Sequence, residues 1–540
     1  MLGIKFDNLR GDLFGGLTAG VVALPLALAF GEASGAGPIA GLYGAIIVGF
    51  FAALFGGTGS QISGPTGPMI VVFAGVFGAL SGNPGLVFAT VVLAGVIQVG
   101  FGIFKLGQYI KLVPYPVVSG FMTGIGCIII ALQASRLFGH EPEGSGTIPA
   151  LTAIPGAVLD PNWVALGLGL LTLFIVFTWP GKLAKIVPPP LAALVIGTLL
   201  STIIVGAPLL GDIPTGLPSF IVPEFRAETI FVVLEAAFVL ALLGSLDSLL
   251  TSLVADNMTR TKHNSNQELI GQGVGNVFAG FFGGIPGAGA TMRTVVNIRT
   301  GGLTKISGMI HSALLFAVVV SLGPLAAQIP HAVLAGILVK VGYDIVDLAY
   351  LKRAHKGPRW DLLLMVLVLI LTVFVDLITA VIAGVVLASL AFVKQMADLQ
   401  LESIQDLENA PGQLVPSDEK EILKDVTDSV TLFDFSGPLS FGAAADLGHH
   451  VRLKAKDTSA LVIDFLKVPF LDVSAARAVG TICQDAAEAK KRVFISGVNS
   501  KVKEVLMGLQ GDSLLPEMFY ESRIDALKAT RDFVLAEQKN

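Results

Sequence analysis

The reading turns on GGIPGAGATMRTVVNIRT, Gly283 to Thr300, taken with an earlier stretch, GTGSQISGPTGPMIVVF, Gly57 to Phe73. Each begins too rich in Gly and Pro for a helix and continues as a sequence that can form one. Both read as half-helices in an apolar setting. Hydrocarbon tolerates non-helical backbone only where protein covers it or it lines a cavity, because every unpaired N–H or C=O is costly there. The competing reading, two Gly-rich loops between ordinary spans, gives an Arg293 buried in such a loop no purpose.

The amides of Thr66, Gly67, Ala290 and Thr291, with Pro68 in the same turn as the first pair, would bring the positive ends of two helix dipoles to one point. Membrane transporters hold anions in this way, and Arg293 adds a full positive charge two residues into the second half-helix. The likeness of ISGPTGPM to IPGAGATM suggests an internal repeat with a broken helix in each half. No nucleophile paired with a base and no histidine metal spacing is evident, so the sequence does not read as an enzyme.

The composition supports a membrane setting. Of 540 residues 53% are hydrophobic and only 14% charged, against roughly 25% charged in soluble domains. The 63 glycines suit close helix packing in lipid. Two cysteines, Cys127 and Cys483, imply no disulfide framework, and no basic block suggests nucleic acid.

About fourteen apolar segments long enough to span fall between residues 13 and 396. Seven and seven, an odd number per half, would insert the halves in opposite directions and give an inverted repeat. Lys and Arg crowd the loops of one side (Arg10, Lys105, Arg260, Lys262, Lys305, Arg353, Arg359 and Lys394 among them), against Arg136 and Arg226 on the other. That asymmetry predicts a multi-pass protein of the cell (inner) membrane with both termini cytoplasmic. Residues 1–397 are thus the membrane domain, 398–428 a polar acidic linker, and 429–540 a small α/β domain, with strands at 429–435, 459–465 and 491–497 between helical stretches.

Asp247 lies mid-span in GSLDSLLTSLVAD, where a carboxylate costs roughly 2.5–3.5 kcal/mol and needs a partner, a proton or a cation. Thr251, four residues on, shares its helix face. Both offer hard oxygens to Na+, and carbonyls freed near Gly289 and Thr291 would complete the shell. The alternatives are a Thr251 hydroxyl bonded back to its own helix and an Asp247–Arg293 salt bridge. Gln98, Gln272 and Asn276 read as interhelical hydrogen-bonding residues, and Lys340 as pairing with Asp344.

The stretches ALPLALAFG (23–31), SGPTGPM (63–69), PYPVVSGFMTGIG (114–126), SLDSLLTS (245–252), TRTKHNSNQELIGQGVGN (259–276) and GAGATMRTVVNI (287–298) resemble the sulfate permease family of anion transporters. The C-terminal domain resembles that family's STAS module. The resemblance implies a seven-plus-seven inverted repeat divided into core and gate domains, elevator-type movement, and a homodimer with its STAS domains in contact. Within the family, the likeness is to cyanobacterial-type Na+-dependent bicarbonate transporters. It implies Asp247, Thr251, Gly289 and Thr291 as the Na+ site, and Thr66, Ala290 and Thr291, with Gly67 and Pro68 beside them, as the anion site. Those transporters carry a small residue where this chain has Arg293, a fixed charge that could substitute for bound Na+. The expected function is therefore Na+-coupled bicarbonate uptake. H+-coupled transport of sulfate or a dicarboxylate, an uncoupled anion channel, and a membrane sensor signalling through the STAS domain are the alternatives. Ser474 of DVS (472–474) matches the phosphorylatable serine of soluble STAS relatives, and either it or Asp472 would cap a helix.

Overall fold

The computed structural model describes the chain except residues 1–5, 81–82, 111–113, 142–146, 185–186, 212–217, 376, 403–404, 407–418, 420, 423, 425, 456–457, 511–513 and 539–540. It divides into two compact units, Met1–Val386 and Leu387–Asn540. The division falls inside a continuous helix, Leu377–Glu402, rather than at residue 397.

Within the first unit the helices sort into two bundles. One contains α1 (Leu9–Ala33), α2 (Pro38–Phe55), α3 (Gly67–Ala79) and α4 (Pro84–Ile103). The other begins with α5 (Tyr115–Leu137), α6 (Thr147–Leu159), α7 (Trp163–Thr178) and α8 (Pro189–Ile203). The chain then returns to the first bundle with α9 (Ile230–Thr259), α10 (Ser265–Phe281), α11 (Thr291–Arg299) and α12 (Lys305–Ala326). It finishes in the second with α13 (His331–Ile345), α14 (Arg359–Phe374) and the start of α15 (Leu377–Glu402), whose remainder belongs to the second unit. In the first bundle α10 packs on α4 and α2, α1 on α12 and α2, and α9 on α4 and α3. In the second, α13 packs on α5 and α7, and α14 on α5. The bundles meet where α1 touches α13 and α8, and where α3 touches α5.

Glycine sets the closeness of the first bundle. A Cβ on Gly95 of α4 would sit 2.5 Å from the carbonyl of Gly273 on α10, and one on Gly273 equally near the carbonyl of Gly95. The helices cross backbone against backbone, as small residues allow in lipid.

Among the described residues, six helices are long and apolar enough to cross a membrane, or seven if the bent pair α6 and α7 forms one span. Gly67–Ala79 and Pro189–Ile203 are shorter apolar helices. The bend of 115° between α6 and α7 was not anticipated. TIPALTAIPGAVL, residues 147–159, is helical despite its internal Pro155.

The two half-helix stretches unwind where glycine and proline predicted. β1 (Ser63–Gly64) precedes α3, and β2 (Ala288–Gly289) precedes α11. These strands pair with each other antiparallel, Ser63 opposite Gly289 and Gly64 opposite Ala288. Each broken helix thus satisfies part of the other's backbone, which lipid would otherwise leave unpaired.

The second unit is a five-stranded sheet in the order β3 (Gln405–Asp406), β4 (Val430–Ser436), β5 (Ala460–Lys467), β6 (Arg492–Ser496) and β7 (Phe519–Tyr520). β3 is antiparallel to β4 and the rest are parallel. Helices α16 (Phe441–Lys454), α17 (Val473–Glu488), α18 (Ser500–Gln510) and α19 (Arg523–Glu537) complete it. Alternate residues of β4 enter opposite cores, Phe433 and Phe435 with α17 and α18, Val430 and Leu432 with α19. The stretch read as a bare linker, 398–428, lies largely outside the described residues. It nonetheless supplies β3 and the end of α15. At the C-terminal ends of β4 and β5, Arg523 ties Glu419 (2.9 Å), Asp464 (3.4 Å) and Asp434 (3.5 Å) together. Burial pushes the Asp464 carboxyl above its usual range, partly offset by a hydrogen bond from Ser496. Asp472 caps α17 by accepting from the Ala475 amide, leaving Ser474 exposed on its first turn.

Candidate anion and cation site

The buried face of α11 holds the first unwound stretch in place. Asn297 donates to the Ser60 carbonyl at 2.9 Å, Thr294 accepts from the Ile62 amide at 3.0 Å, and the Arg293 guanidinium donates to the Pro65 carbonyl. A fourth link, the Ala290 amide to the Ile62 carbonyl at 2.8 Å, extends the strand pairing. The Ala290 N–H, expected to be free for an anion, is therefore engaged within the protein.

The second unwound stretch is held by α9 and α10. Asn276 donates to the Gly287 carbonyl (3.0 Å) and accepts from the Gly287 amide (2.8 Å), imitating a neighbouring strand. Ser248 accepts from the Gly289 amide at 3.0 Å. Asn276 also donates to Gln98, which links α10 to α4, whereas Gln272 donates to Ser63 and so ties α10 to β1.

Sequence reasoning missed the residue that organises this polar interior. Glu268 of α10 is 1% exposed and accepts four hydrogen bonds. They come from the amides of Gly57 (2.8 Å) and Thr58 (2.9 Å) and the side chains of Gln61 (2.9 Å) and Gln272 (2.8 Å). Gln61 in turn accepts from Ser252 at 2.9 Å. The signal was present: a carboxylate four residues before a glutamine, one turn apart on the same helix face.

Three of the expected cation ligands come together. The Thr251 hydroxyl donates to the Gly289 carbonyl at 3.0 Å and lies 2.7 Å from the Thr291 hydroxyl. The Thr251 hydroxyl is thus not bonded back to its own helix. Asp247, one turn earlier, is half-buried, and its Oδ2 has no hydrogen-bond partner. The Thr66 hydroxyl at the start of α3 lies beside Asp247, near enough to act on its carboxylate.

Arg293 is placed otherwise than a pocket-lining cation. It is 2% exposed, turned behind the paired strands, and a Cβ on Gly64 (φ +151°) would lie 2.8 Å from its Nη1. Asp247 lies within electrostatic reach, but among the described residues no ion pair joins the two. The guanidinium thus supplies a buried positive charge from the rear while satisfying a carbonyl in front of it.

The site opens toward the second bundle. A narrow cavity of about 30 Å³ beside Asp247 and Pro68 is walled by Phe121 and Met122 of α5 and by Leu243 and Leu246 of α9. Gly67 is pressed by the side-chain tips of Ile129 and Ile345, which would meet a Cβ there at 2.9 and 2.7 Å. Two half-helix starts, the Gly289 and Thr291 oxygens joined through the Thr251 hydroxyl, and the Asp247 carboxylate therefore sit where the bundles meet. Small charged cargo is stabilised by such an arrangement without covalent chemistry.

Residues 9–368 match the sulfate permease family and residues 421–522 the STAS domain. The chain belongs to the sulfate permease family. It is 46% identical to the bicarbonate transporter BicA of Synechocystis over 99% of its own length and 96% of that protein. It is 44% identical to BicA of Picosynechococcus, over 97% and 95%. The solved transmembrane domain of a cyanobacterial BicA superposes with a TM-score of 0.67 at 51% identity, covering 70% of this chain and 98% of that one. SLC26A9, at 19% identity, shares the overall fold with a TM-score of 0.83 across 99% of this chain and 92% of its own. This family member is a multi-pass membrane anion transporter with a C-terminal STAS domain, not an enzyme.

Proposed function

We propose that the chain takes up bicarbonate together with Na+ by movement of the first bundle, as core, against the second, as gate. The observation that carries the reading is the contact of the Thr251 hydroxyl with the Gly289 and Thr291 oxygens, one turn from the Asp247 carboxylate, whose Oδ2 is buried without a hydrogen bond. Hard oxygens and one negative charge suit a monovalent cation. The anion is held on the other side of the same junction by the starts of α3 and α11, at Thr66, Gly67 and Pro68 and at Thr291, the Ala290 amide being taken up by the Ile62 carbonyl. Arg293 contributes charge from behind. Bound Na+ raises the local positive potential where the anion docks, so each favours the other, and binding of one ion alone is weak.

Support for bicarbonate comes from the BicA relatives, similar over nearly the full chain. The Lys and Arg asymmetry supports cytoplasmic termini, and on this reading the STAS domains pair two copies into a dimer. Uptake of radiolabelled bicarbonate into proteoliposomes, with Na+ or choline outside, tests the reading beside Asp247→Asn. Uptake that requires Na+ and disappears in the variant is expected. Uptake indifferent to Na+ and driven by a proton gradient, or seen only with sulfate or a dicarboxylate, would overturn it.

A further inference from the structure

At the face away from the N-terminus, where α1 ends against α13, three side chains from separate segments converge. Glu32 is the penultimate residue of α1, His331 opens α13, and Glu141 follows α5. His331 Nδ1 is 3.1 Å from Glu32 Oε1 and 3.8 Å from Glu141 Oε1, and the three ligand atoms all lie within 4.8 Å of one another. We propose that Glu32, Glu141 and His331 form a site for a divalent transition-metal cation of the Zn2+ class, which staples the two helix bundles together.

The imidazole supplies the independent argument. Its Nε2 lies 3.1 Å from the Leu209 carbonyl, an acceptor, so Nε2 carries the hydrogen. That carbonyl is fixed by the pairing of residues 208–210 with 329–331, through Leu210 N to Ile329 O (2.9 Å) and His331 N to Pro208 O (3.0 Å). Nδ1 faces the two carboxylate oxygens, and a cation among the three would stand where a proton otherwise joins Nδ1 to Glu32. A histidine whose second nitrogen donates to a backbone carbonyl has the orientation that metal-ligating histidines adopt.

One imidazole and two carboxylates make the donor set of an open zinc site, with a position left for water. The nitrogen donor disfavours Mg2+ and Ca2+. Arg136, within electrostatic reach of both Glu32 and His331, offsets one of the two ligand charges and leaves one to favour a cation. Glu32 belongs to the first bundle, His331 and Glu141 to the second. A metal held by all three fixes the bundles relative to each other. That consequence rests on the bundle movement proposed above, whereas the binding does not.

The test uses purified full-length chain and two arms. In the first, Zn2+ binding is measured by competition with a chromogenic chelator for the wild type, His331→Ala and Glu141→Gln. The Glu141 side chain is 65% exposed, so its replacement leaves packing intact. One Zn2+ per chain is expected, bound at least tenfold more weakly by either variant and not displaced by excess Mg2+. Equal affinity in the variants, or displacement by Mg2+, would overturn the site. In the second arm micromolar Zn2+ is added on both sides of proteoliposomes during anion uptake. Inhibition of the wild type that is tenfold less sensitive in Glu141→Gln is expected, and binding without inhibition would overturn the staple. A failure of the bicarbonate reading would leave the first arm unaffected.

Discussion

Asn276 and Gly287 pair as two strands would, the carboxamide donating to the Gly287 carbonyl at 3.0 Å and accepting from its amide at 2.8 Å. A side chain here does the work of a missing backbone neighbour. The anion site depends on it, because the stretch leading into α11 has no helix of its own to satisfy those groups.

Replacing Asn276 by Ala leaves both groups of Gly287 buried without partners, at about 1–3 kcal/mol each. The expected result is a lowered thermal midpoint in detergent and loss of most uptake. Asn276→Asp, which keeps the acceptor and removes the donor, falls between the two when both proteins are compared by the same melt.

Glu268→Gln exchanges one acceptor oxygen for a donor. Four donors now face a carboxylate, so the substitution sets a new N–H against an existing one and is expected to destabilise by about 2–3 kcal/mol. Thermal melts in detergent should show it, with uptake reduced because the Gly57 to Gln61 stretch is no longer clamped.

Gly289→Ala places a Cβ 2.2 Å from Gln61 Nε2 and 3.0 Å from the Ser248 Cα. Gln61 is held by Glu268 and Ser252 and cannot swing aside freely. We expect near-complete loss of uptake with a fold that still elutes as a single species in size-exclusion chromatography. Gly75→Ala on α3, where a Cβ would meet nothing within 4 Å, is the neutral control. Equal uptake by the two variants would refute the assigned crowding.

Burial pushes the Cys483 thiol up to about 12 from an ordinary value of 9.0. The folded-state value is the higher one, so this group's contribution is fully present below about pH 9 and is lost as pH rises toward 12. The C-terminal unit should therefore weaken progressively across that alkaline window. Thiol-reagent labelling of Cys483 as a function of pH would report it, and Cys483→Val should flatten the slope of a parallel melt.

Much of this architecture was written locally. Glycine and proline announced both unwound stretches, and the spacing of Asp247 and Thr251 placed two oxygens on one helix face. The strands of the C-terminal unit followed from apolar runs between turn residues. What was not legible depends on partners distant in the chain. The engagement of the Ala290 amide requires knowing that Ile62 lies opposite, and the rearward turn of Arg293 requires knowing where the Pro65 carbonyl points. Strands of two residues, β3 and β7, carry too little periodicity to be seen.

The pairing of β1 with β2 also bears on how the protein is made. Ile62 and Thr294, whose hydrogen bond adjoins those strands, are 232 residues apart. While the first half sits in the bilayer awaiting the second, the unwound stretch before α3 has exposed peptide groups with no permanent partner. Biogenesis must pass through an intermediate that water, lipid headgroups or an insertion chaperone shelters until the second half emerges. A chain cut after residue 228 would leave that stretch orphaned and prone to proteolysis, and co-expression of the missing half should rescue it.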